Sequence, residues 1–281
     1  MRIIETIGTL QEYLKQCRDQ GKTIALVPTM GCLHQGHLQL INEAKSHADV
    51  VVASIFVNPM QFAPHEDLGK YPHTPEADKK SLMDRGADVL FLPSVEQIYP
   101  ENQISDYEVG EIATLLCGKS RPMHFNGVAQ VVSRFFDIVE PDIAVFGEKD
   151  YQQLQIIKQL VERQKRKIMI ASIGIVREDD GLAMSTRNKY LSVNERALAP
   201  SFHQALRQAK SNYESGMALD EVISKAKASL AEPFALDYFE ILDANTLTQI
   251  TTSSADVIVI SAVKLRLTRL IDNIVFRRSN V

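Results

Sequence analysis

Residues 23–37 read TIALVPTMGCLHQGH, an apolar run that leads directly into a turn with two glycines and two histidines. Residues 23–30 have the length and the β-branched character of a buried strand, and Leu38, Ile41 and Ala44 then recur at helical spacing. A strand that passes through a short turn into a helix is the first half of a βαβ unit. This stretch therefore predicts a sheet of parallel strands.

The same alternation continues to about residue 176. Apolar residues recur at helical spacing between further strand-like runs, for example at Val128, Val131 and Phe135. The runs themselves lie at residues 50–57, 87–93, 143–147 and 168–176. Strands that are hydrophobic throughout are typical of a parallel sheet covered by helices on both faces. We therefore expect residues 1–176 to form an α/β domain with a doubly wound parallel sheet.

The pattern changes at residues 177–181, which read REDDG and have the composition of a boundary turn. Two helical stretches follow at residues 195–213 and 219–230. Three strand-like runs come next, at residues 237–242, 257–263 and 270–276. Helices followed by consecutive strands predict a second, smaller α+β domain over residues 177–281.

The composition excludes several classes of protein. The 281 residues include 31 Lys and Arg against 35 Asp and Glu, and the net charge of -4 does not suit a surface that binds nucleic acid. The three cysteines lack C-x-x-C spacing, so we expect a reducing, cytoplasmic environment. No apolar run approaches the roughly 18 residues that a membrane span needs, so no membrane association is expected.

His34 and His37 follow the first predicted strand at a spacing of three residues. On the first turn of a helix such residues share a face, and the helix N-terminus attracts anions. Gly36 between them would let a phosphate or a flat ring approach the backbone, and imidazoles there can donate hydrogen bonds to phosphate oxygens. The alternative is a structural or solvent-exposed histidine pair, and a zinc site would need a third ligand at a recognisable spacing.

Two further segments bring polar side chains to the same region. Residues 147–150 read GEKD and follow a predicted strand, so Lys149 lies at the edge where open parallel sheets bind ligands. Residues 184–188 read MSTRN and offer two hydroxyls and a guanidinium near the domain boundary, where they could close over a triphosphate. The alternative is that Ser185 and Thr186 cap a helix.

One phosphate-binding pattern is interpreted as a coincidence. Residues 113–120 read ATLLCGKS, but a true P-loop follows a strand and has small residues where this segment has leucines. We expect a helix that ends at Gly118, with that glycine as its left-handed cap. The first strand-to-helix turn also lacks the G-x-G-x-x-G fingerprint, which argues against NAD or FAD.

Five segments, in order along the chain, together resemble the pantothenate synthetase family. They are residues 28–37 (PTMGCLHQGH), 56–62 (FVNPMQF), 124–128 (HFNGV), 147–153 (GEKDYQQ) and 184–188 (MSTRN). The resemblance implies the Rossmann-like fold of the H-x-G-H nucleotidyltransferases, which are related to the core of class I aminoacyl-tRNA synthetases.

The resemblance also implies an activity, in which ATP and Mg²⁺ are used to join pantoate to β-alanine. A pantoyl adenylate would form with loss of pyrophosphate, and the amine of β-alanine would then displace AMP. A homodimer formed through the first domain is implied as well, with the second domain closing over the ATP site.

Residue roles are carried over from the same resemblance. It implies that His37 is the proton donor and His34 a phosphate ligand. The other catalytic residues it implies are Lys149, Ser185 and Arg187. Against ATP it places Met30, Gly31, Cys32, Leu33, His34, Gln35, Gly36, His37, Gly147, Glu148, Lys149, Asp150, Val176, Met184, Ser185, Thr186 and Arg187. The implied substrate ligands are Gln61 and Gln153 for pantoate, Gln61 also for β-alanine, and Asn58, Tyr71 and Arg121 in the same cavity. The Mg²⁺ ligands stay open.

Three positions differ from the family pattern, and two rival functions are open. Cys32 occupies a position whose occupant varies in the family. Met123 stands where the family usually has glycine, and Thr186 replaces a serine but keeps the hydroxyl. The rivals are a nucleotidyltransferase that stops after nucleotide transfer and a non-catalytic nucleotide-binding module. Gln61 and Gln153 argue against the first, because side-chain amides suit a small hydroxy acid. Turnover of ATP to AMP would exclude the second.

Overall fold

A six-stranded sheet, with every adjacent pair of strands parallel, forms the first part of the molecule. The computed structural model describes residues 1–64, 66–100 and 109–278. In chain order the strands are β1 (Arg2–Ile4), β2 (Ile24–Thr29), β3 (Val50–Ile55), β4 (Val89–Phe91), β5 (Ile143–Gly147) and β6 (Met169–Ile173). Their spatial order is β1-β4-β3-β2-β5-β6.

The strand order determines where a ligand can enter. Strand β2 lies between β3 and β5, and the chain moves outward through β3 and β4 before it returns to add β5 and β6 on the other side. Loops that leave neighbouring strands in opposite directions open a crevice at the carboxyl ends of the strands. The two loops at this crevice are residues 30–34, after β2, and residues 148–150, after β5.

Helices cover both faces of this sheet. They are α1 (Ile7–Asp19), α2 (Gln35–His47), α3 (Pro75–Asp84), α4 (Val95–Ile98), α5 (Cys117–Ser120), α6 (His124–Val139) and α7 (Tyr151–Arg163). Successive strand residues face opposite cores: Leu26 packs in the core that contains α1, α6 and α7, whereas Val27 packs in the core that contains α2 and α3. Burial on both faces explains why β2, β3, β4 and β5 read as continuous apolar runs.

The second part of the molecule is smaller and antiparallel. It contains α8 (Val193–Leu198), α9 (Pro200–Glu214), α10 (Leu219–Ser229), β7 (Phe234–Asp243), β8 (Asp256–Leu265) and β9 (Thr268–Arg277). The strands pair in the order β7-β8-β9. Helices α9 and α10 cover one face, where Phe202 and Val222 pack against Phe239 and Val259. The predicted fold class, a doubly wound Rossmann-like sheet with a smaller α+β part, is confirmed.

The opposite face of the small sheet packs against the first part of the chain. Ile258 and Ile260 of β8 share an apolar cluster with Ile112, Phe125 and Ile156. This shared cluster holds the small sheet beside the crevice. The division of the chain at residue 176 stays a prediction.

Three local predictions were wrong. Gly118 lies inside the short helix α5 and has no left-handed backbone; Leu116 has the positive φ instead, at 44°. A Cβ at Gly118 would collide with the Ala113 carbonyl, so close backbone approach explains this glycine. The helix expected at residues 195–213 is two helices, α8 and α9, with Pro200 opening the second. The strand expected at residues 168–176 ends at Ile173.

None of the helices in the described part of the chain has both the length and the apolar character that crossing a membrane requires.

Candidate active site

A cleft of about 1370 Å³, including its open mouth, lies at the carboxyl ends of β2 and β5. Seventeen of the predicted site residues line it: Met30, His34, Gly36, His37, Asn58, Gln61, Tyr71, Arg121, Gly147, Lys149, Asp150, Gln153, Val176, Met184, Ser185, Thr186 and Arg187. The structure thus brings together segments that are up to 157 residues apart in sequence.

Five predicted nucleotide contacts do not line the cleft. Gln35 accepts a hydrogen bond from Arg85, and the Glu148 carboxylate accepts one from the Ser172 hydroxyl, so both side chains are engaged elsewhere. The remaining three, Gly31, Cys32 and Leu33, form the loop beneath the histidines.

His34 and His37 cap the helix that they open. The Nδ1 atom of His34 accepts the Gly36 backbone N–H at 3.2 Å, and the Nδ1 atom of His37 accepts the His34 backbone N–H at 3.2 Å. Since both Nδ1 atoms are acceptors, each neutral ring carries its proton on Nε2. A Cβ at Gly36 would lie 2.9 Å from the His34 ring, so this arrangement requires glycine.

Both histidines are neutral in the free protein. Burial, followed by the charges of His37 and Lys149, lowers the pKa of His34 to about 3. Burial and the charge of Lys149 lower the pKa of His37 to about 4. At neutral pH each ring therefore presents an Nε2–H as a hydrogen-bond donor. The role of His37 as proton donor stays a prediction.

The loop after β2 is held by Asp78, a residue that the sequence analysis missed. Its carboxylate accepts the backbone N–H groups of Cys32 and Leu33, both at 2.8 Å, and it is only 3% exposed. Cys32 has a positive φ of 51°, which this pair of hydrogen bonds helps to hold. A carboxylate inside an amphipathic helix carries no local signal for this role.

Lys149 enters the cleft from the single 3₁₀ turn that follows β5, Glu148–Asp150. Its ammonium lies 3.4 Å from the Asp150 carboxylate. Burial opposes ionisation of Asp150, but the charges of Lys149 and Arg187 outweigh that effect and hold the pKa of this carboxyl below its usual value. The predicted position at a strand's carboxyl end is confirmed for Lys149.

The two arginines of the cleft are each paired with a carboxylate. Arg121 binds Glu66 through two hydrogen bonds of 2.6 and 2.7 Å, and Arg187 binds Asp67 through two of 3.0 and 2.9 Å. The sequence analysis missed Glu66 and Asp67, since nothing local marks them as partners of arginines 55 and 120 residues away. An incoming anion would compete with these carboxylates for the guanidinium groups.

An amide network forms another wall of the cleft. Gln61 Oε1 accepts from Asn58 Nδ2 at 3.1 Å, and Gln61 Nε2 lies 3.2 Å from the Met30 sulfur. Asn58 also donates to the Gly127 carbonyl and accepts from the Tyr99 hydroxyl at 2.7 Å. The amide of Asn58 is therefore engaged at both ends, and one of its bonds holds Gln61. Its contact with substrate stays a prediction.

The segment 184–188 packs against the loop that follows β2. Thr186 donates its hydroxyl to the Cys32 carbonyl at 3.2 Å, and the Met184 N–H donates to the Val176 carbonyl at 3.0 Å. Ser185 caps a short 3₁₀ helix, Thr186–Tyr190, by accepting the Arg187 N–H. The capping alternative therefore holds for Ser185, although Ser185 also lines the cleft.

The segment interpreted as a coincidental P-loop match can be compared with the structure. Lys119 of the P-loop-like segment is exposed and does not line the cleft, as expected for a coincidental match. Within residues 1–64, 66–100 and 109–278, no three acidic, histidine or cysteine side chains are grouped as metal ligands would be.

Comparison with known proteins gives consistent matches over nearly the whole chain. The family model described as pantoate-beta-alanine ligase matches residues 2–275. The pantothenate synthetase of Ruthia magnifica subsp. Calyptogena magnifica is 51% identical over 259 residues, covering 92% of this chain and 93% of that protein. The pantothenate synthetase of Pseudomonas savastanoi pv. phaseolicola is 44% identical over 283 residues, covering 99% and 100%.

Two solved structures also match nearly the whole chain. The pantothenate synthetase of Thermus thermophilus superposes with a TM-score of 0.92 at 39% identity, covering 98% of this chain and 99% of that one. The pantoate-beta-alanine ligase of Francisella tularensis, solved in complex with beta-gamma ATP and beta-alanine, has a TM-score of 0.81 at 35% identity, covering 98% and 97%.

Proposed function

The chain belongs to the pantoate-beta-alanine ligase family, and on that premise we propose how its residues divide the work of the reaction. It is an ATP-dependent ligase that condenses pantoate with β-alanine. Family membership sets aside both the nucleotidyltransferase and the non-catalytic binding module. The proposal rests on one observation. His34 and His37, which cap α2, and the turn that carries Lys149 lie together at the crevice between β2 and β5.

The triphosphate of ATP binds over the N-terminus of α2. There the Nε2–H groups of His34 and His37 and the ammonium of Lys149 donate to its oxygens. These donors are preorganised, because the cap fixes both rings before any ligand arrives. Residues 184–187 form the opposite side of the nucleotide site, and Arg187 exchanges its contact with Asp67 for a phosphate oxygen. The other proposed nucleotide contacts are those named from the sequence.

Pantoate binds against the amide network. Gln61 and Gln153 bind its hydroxyl and carboxylate groups without adding charge, and Gln61 also lies beside the β-alanine site. Asn58 holds Gln61 in place, while Tyr71 and Arg121 line the same cavity. The Arg121–Glu66 pair leaves this end of the cleft nearly neutral, so the pantoate carboxylate keeps its nucleophilic charge.

The reaction proceeds in two steps. The pantoate carboxylate attacks the α-phosphorus of ATP, the bond to the β-phosphate oxygen breaks, and pyrophosphate leaves. The amine of β-alanine then attacks the carbonyl of the pantoyl adenylate, loses a proton and displaces AMP. Both steps depend mainly on positioning and on charge neutralisation. No covalent bond to the enzyme is needed.

Magnesium enters with the nucleotide as the MgATP substrate. The described residues contain no three-ligand group for a resident ion, and Mg²⁺ at nucleotide sites is commonly held by phosphate oxygens and water. No step of the proposal is routed through a metal bound by the protein alone.

A cytoplasmic location and a homodimer formed through the first domain are part of the same proposal. Cys17, Cys32 and Cys117 are free and buried, which agrees with a reducing compartment. Sedimentation at micromolar concentration tests the dimer, and a monomeric boundary would contradict it.

Isotope exchange tests the reaction class. Labelled pyrophosphate should exchange into ATP when pantoate and Mg²⁺ are present and β-alanine is absent, because the adenylate forms reversibly. Omitting pantoate should abolish the exchange, and adding β-alanine should yield AMP with the amide product. Exchange that does not depend on pantoate, or release of ADP and phosphate, would contradict the adenylate mechanism.

A further inference from the structure

Strand β9 of the small domain contacts the turn that carries Lys149. Asn273 Nδ2 donates to the Glu148 carbonyl at 2.9 Å and to the Lys149 carbonyl at 3.2 Å. Asn273 is only 4% exposed. Since both bonds go to backbone atoms, the contact acts on the path of the chain at Lys149 and leaves the side chain of Lys149 to the cleft.

The turn itself has little internal support. It is a 3₁₀ helix of three residues, and no side-chain cap holds its N-terminus. The Glu148 side chain is tied to Ser172 of β6, but the Lys149 carbonyl depends on Asn273. The Asn273 amide therefore adds two hydrogen bonds from a distant strand to this short turn between β5 and α7.

A buried ionic network fixes Asn273 from behind. Asp272, which is 2% exposed, accepts the Asn273 backbone N–H at 2.7 Å and two hydrogen bonds from Arg177, at 2.8 and 2.9 Å. His203 Nδ1 lies 3.1 Å from the same carboxylate. Arg177 also donates to the Gly181 carbonyl, in the segment that leads to residues 184–187. The network therefore links β9 with the turn that carries Lys149 and with the segment that leads to residues 184–187.

We propose that Asn273 is a positioning residue for Lys149, so that the small domain contributes to catalysis through one buried side-chain amide. This inference rests on the proposed function of Lys149 as a donor to the phosphate groups. Displacing a catalytic group by about 1 Å can lower a rate by roughly a hundredfold, so loss of the amide should reach the chemistry even though Asn273 touches no substrate.

A double-mutant cycle separates positioning from mere stabilisation. Asn273→Ala is made alone and together with Lys149→Ala, and turnover is followed by labelled pyrophosphate exchange, which detects slow variants. We expect Asn273→Ala to lower the exchange rate about tenfold or more in the wild-type background and less than about twofold in the Lys149→Ala background. The thermal midpoint should fall equally in both backgrounds.

Two further variants keep the test decisive. Asn273→Asp keeps the size of the side chain and replaces the donor by an acceptor, so it should reproduce the loss if Asn273→Ala does not fold. Ser261→Ala is the matched control: Ser261 is fully buried on the adjacent strand β8 and donates one hydrogen bond, to the Tyr238 carbonyl at 2.7 Å. It should lower the thermal midpoint and leave exchange within about twofold, because its bond does not lead to Lys149.

Two outcomes would overturn the inference while leaving the proposed function intact. One is that Asn273→Ala lowers the exchange rate by the same factor in both backgrounds. The other is that the Asn273 variants exchange as fast as Ser261→Ala. A wild-type chain without pantoate-dependent exchange would overturn the proposed function and, with it, the inference.

Discussion

His37 combines two tasks in one ring, since Nδ1 closes the helix cap and Nε2–H faces the cleft. His37→Ala should lower kcat roughly a hundredfold or more, the usual effect of losing one transition-state donor. It should also lower stability by about 0.5–2 kcal/mol, because a cap is lost. Steady-state kinetics and thermal unfolding measure the two effects. His47→Ala, at the exposed end of the same helix, is the control; turnover of His37→Ala close to that of this control would remove His37 from the mechanism.

Lys149 and Lys119 both lie in segments whose sequences resemble phosphate-binding sites, but substituting them should have different effects on activity. Lys149→Ala should severely reduce turnover, because its ammonium lies in the cleft beside the histidines. Lys119→Ala should leave ATP affinity within a few-fold, because its side chain is exposed outside the cleft. Calorimetric titration with ATP and exchange assays on both variants provide the comparison. The reverse order would contradict the assignment of the nucleotide site.

At the scale of single residues, the sequence predicted the groups that face the cleft better than the groups that hold them. His34, His37 and Lys149 sit in short local motifs at strand ends, so their positions follow from the pattern. Asp78 and Asn273 act through contacts 45 and more residues away in sequence, and no local pattern marks them. The neutral state of the histidines also depends on burial, which a motif does not report.

Among the elements, helix α6 and the segment before Gln61 approach each other closely at Gly127. A Cβ at Gly127 would overlap the Met60 carbonyl and come within 2.7 Å of the Gln61 backbone nitrogen. Gly127→Ala should therefore move Gln61 and raise the KM for pantoate about tenfold or more, while ATP binding stays nearly unchanged.

Gly8→Ala is the matched control for that substitution. No atom lies within 4 Å of a Cβ at Gly8, which is also helical, so Gly8→Ala should leave the KM unchanged and raise stability by up to about 1 kcal/mol. Titration of pantoate against initial rates compares the two. Equal KM values for Gly127→Ala and the control would show that the contact does not govern the pantoate site.

The order of the elements was predictable because buried parallel strands and amphipathic helices have distinct periods. Where the prediction failed, contacts between distant parts of the chain determined the local structure in place of the local sequence pattern. At Gly118 the close approach of a backbone carbonyl, not a helix cap, requires glycine. Strand β1 has only three residues, too few for any period to show.

At the scale of the whole molecule, lowering the pH below about 6.5 should lower the free energy of unfolding, because buried histidines resist protonation. Burial lowers the pKa of His34 to about 3 and those of His37 and His124 to about 4, whereas an unfolded histidine titrates near 6.5. Between about pH 6.5 and pH 4 the unfolded chain therefore binds more protons than the folded one, and stability falls as the pH falls. Each histidine contributes at most about 1.4 kcal/mol per pH unit.

Calorimetric unfolding from pH 8 to pH 4.5 should show a thermal midpoint that is nearly constant above pH 7 and falls steadily below pH 6.5. His124→Gln should make the fall shallower. A midpoint that rises on going from pH 6.5 to pH 5 would contradict the neutral state of the cleft histidines.

The packing of the small sheet against the helical segments of the first part of the chain lay beyond prediction from the sequence. The small sheet was expected, but nothing in its strands shows which face meets Ile112 and Phe125, or that β9 lies beside the Lys149 turn. Such contacts depend on shape and register between distant segments, which a single sequence does not display.

Asn273 also imposes an order of events while the chain is being made. The amide and the Glu148 carbonyl that it holds are 125 residues apart, and a ribosome adding roughly 5–20 residues per second needs roughly 6–25 s to travel between them. Every residue of β1 to β5 and of the histidine cap has been synthesised before that interval begins, and β6 is completed early within it. The turn that carries Lys149 still lacks its two hydrogen bonds from Asn273. Translation thus delivers the nucleotide-binding scaffold first and catalytic competence last.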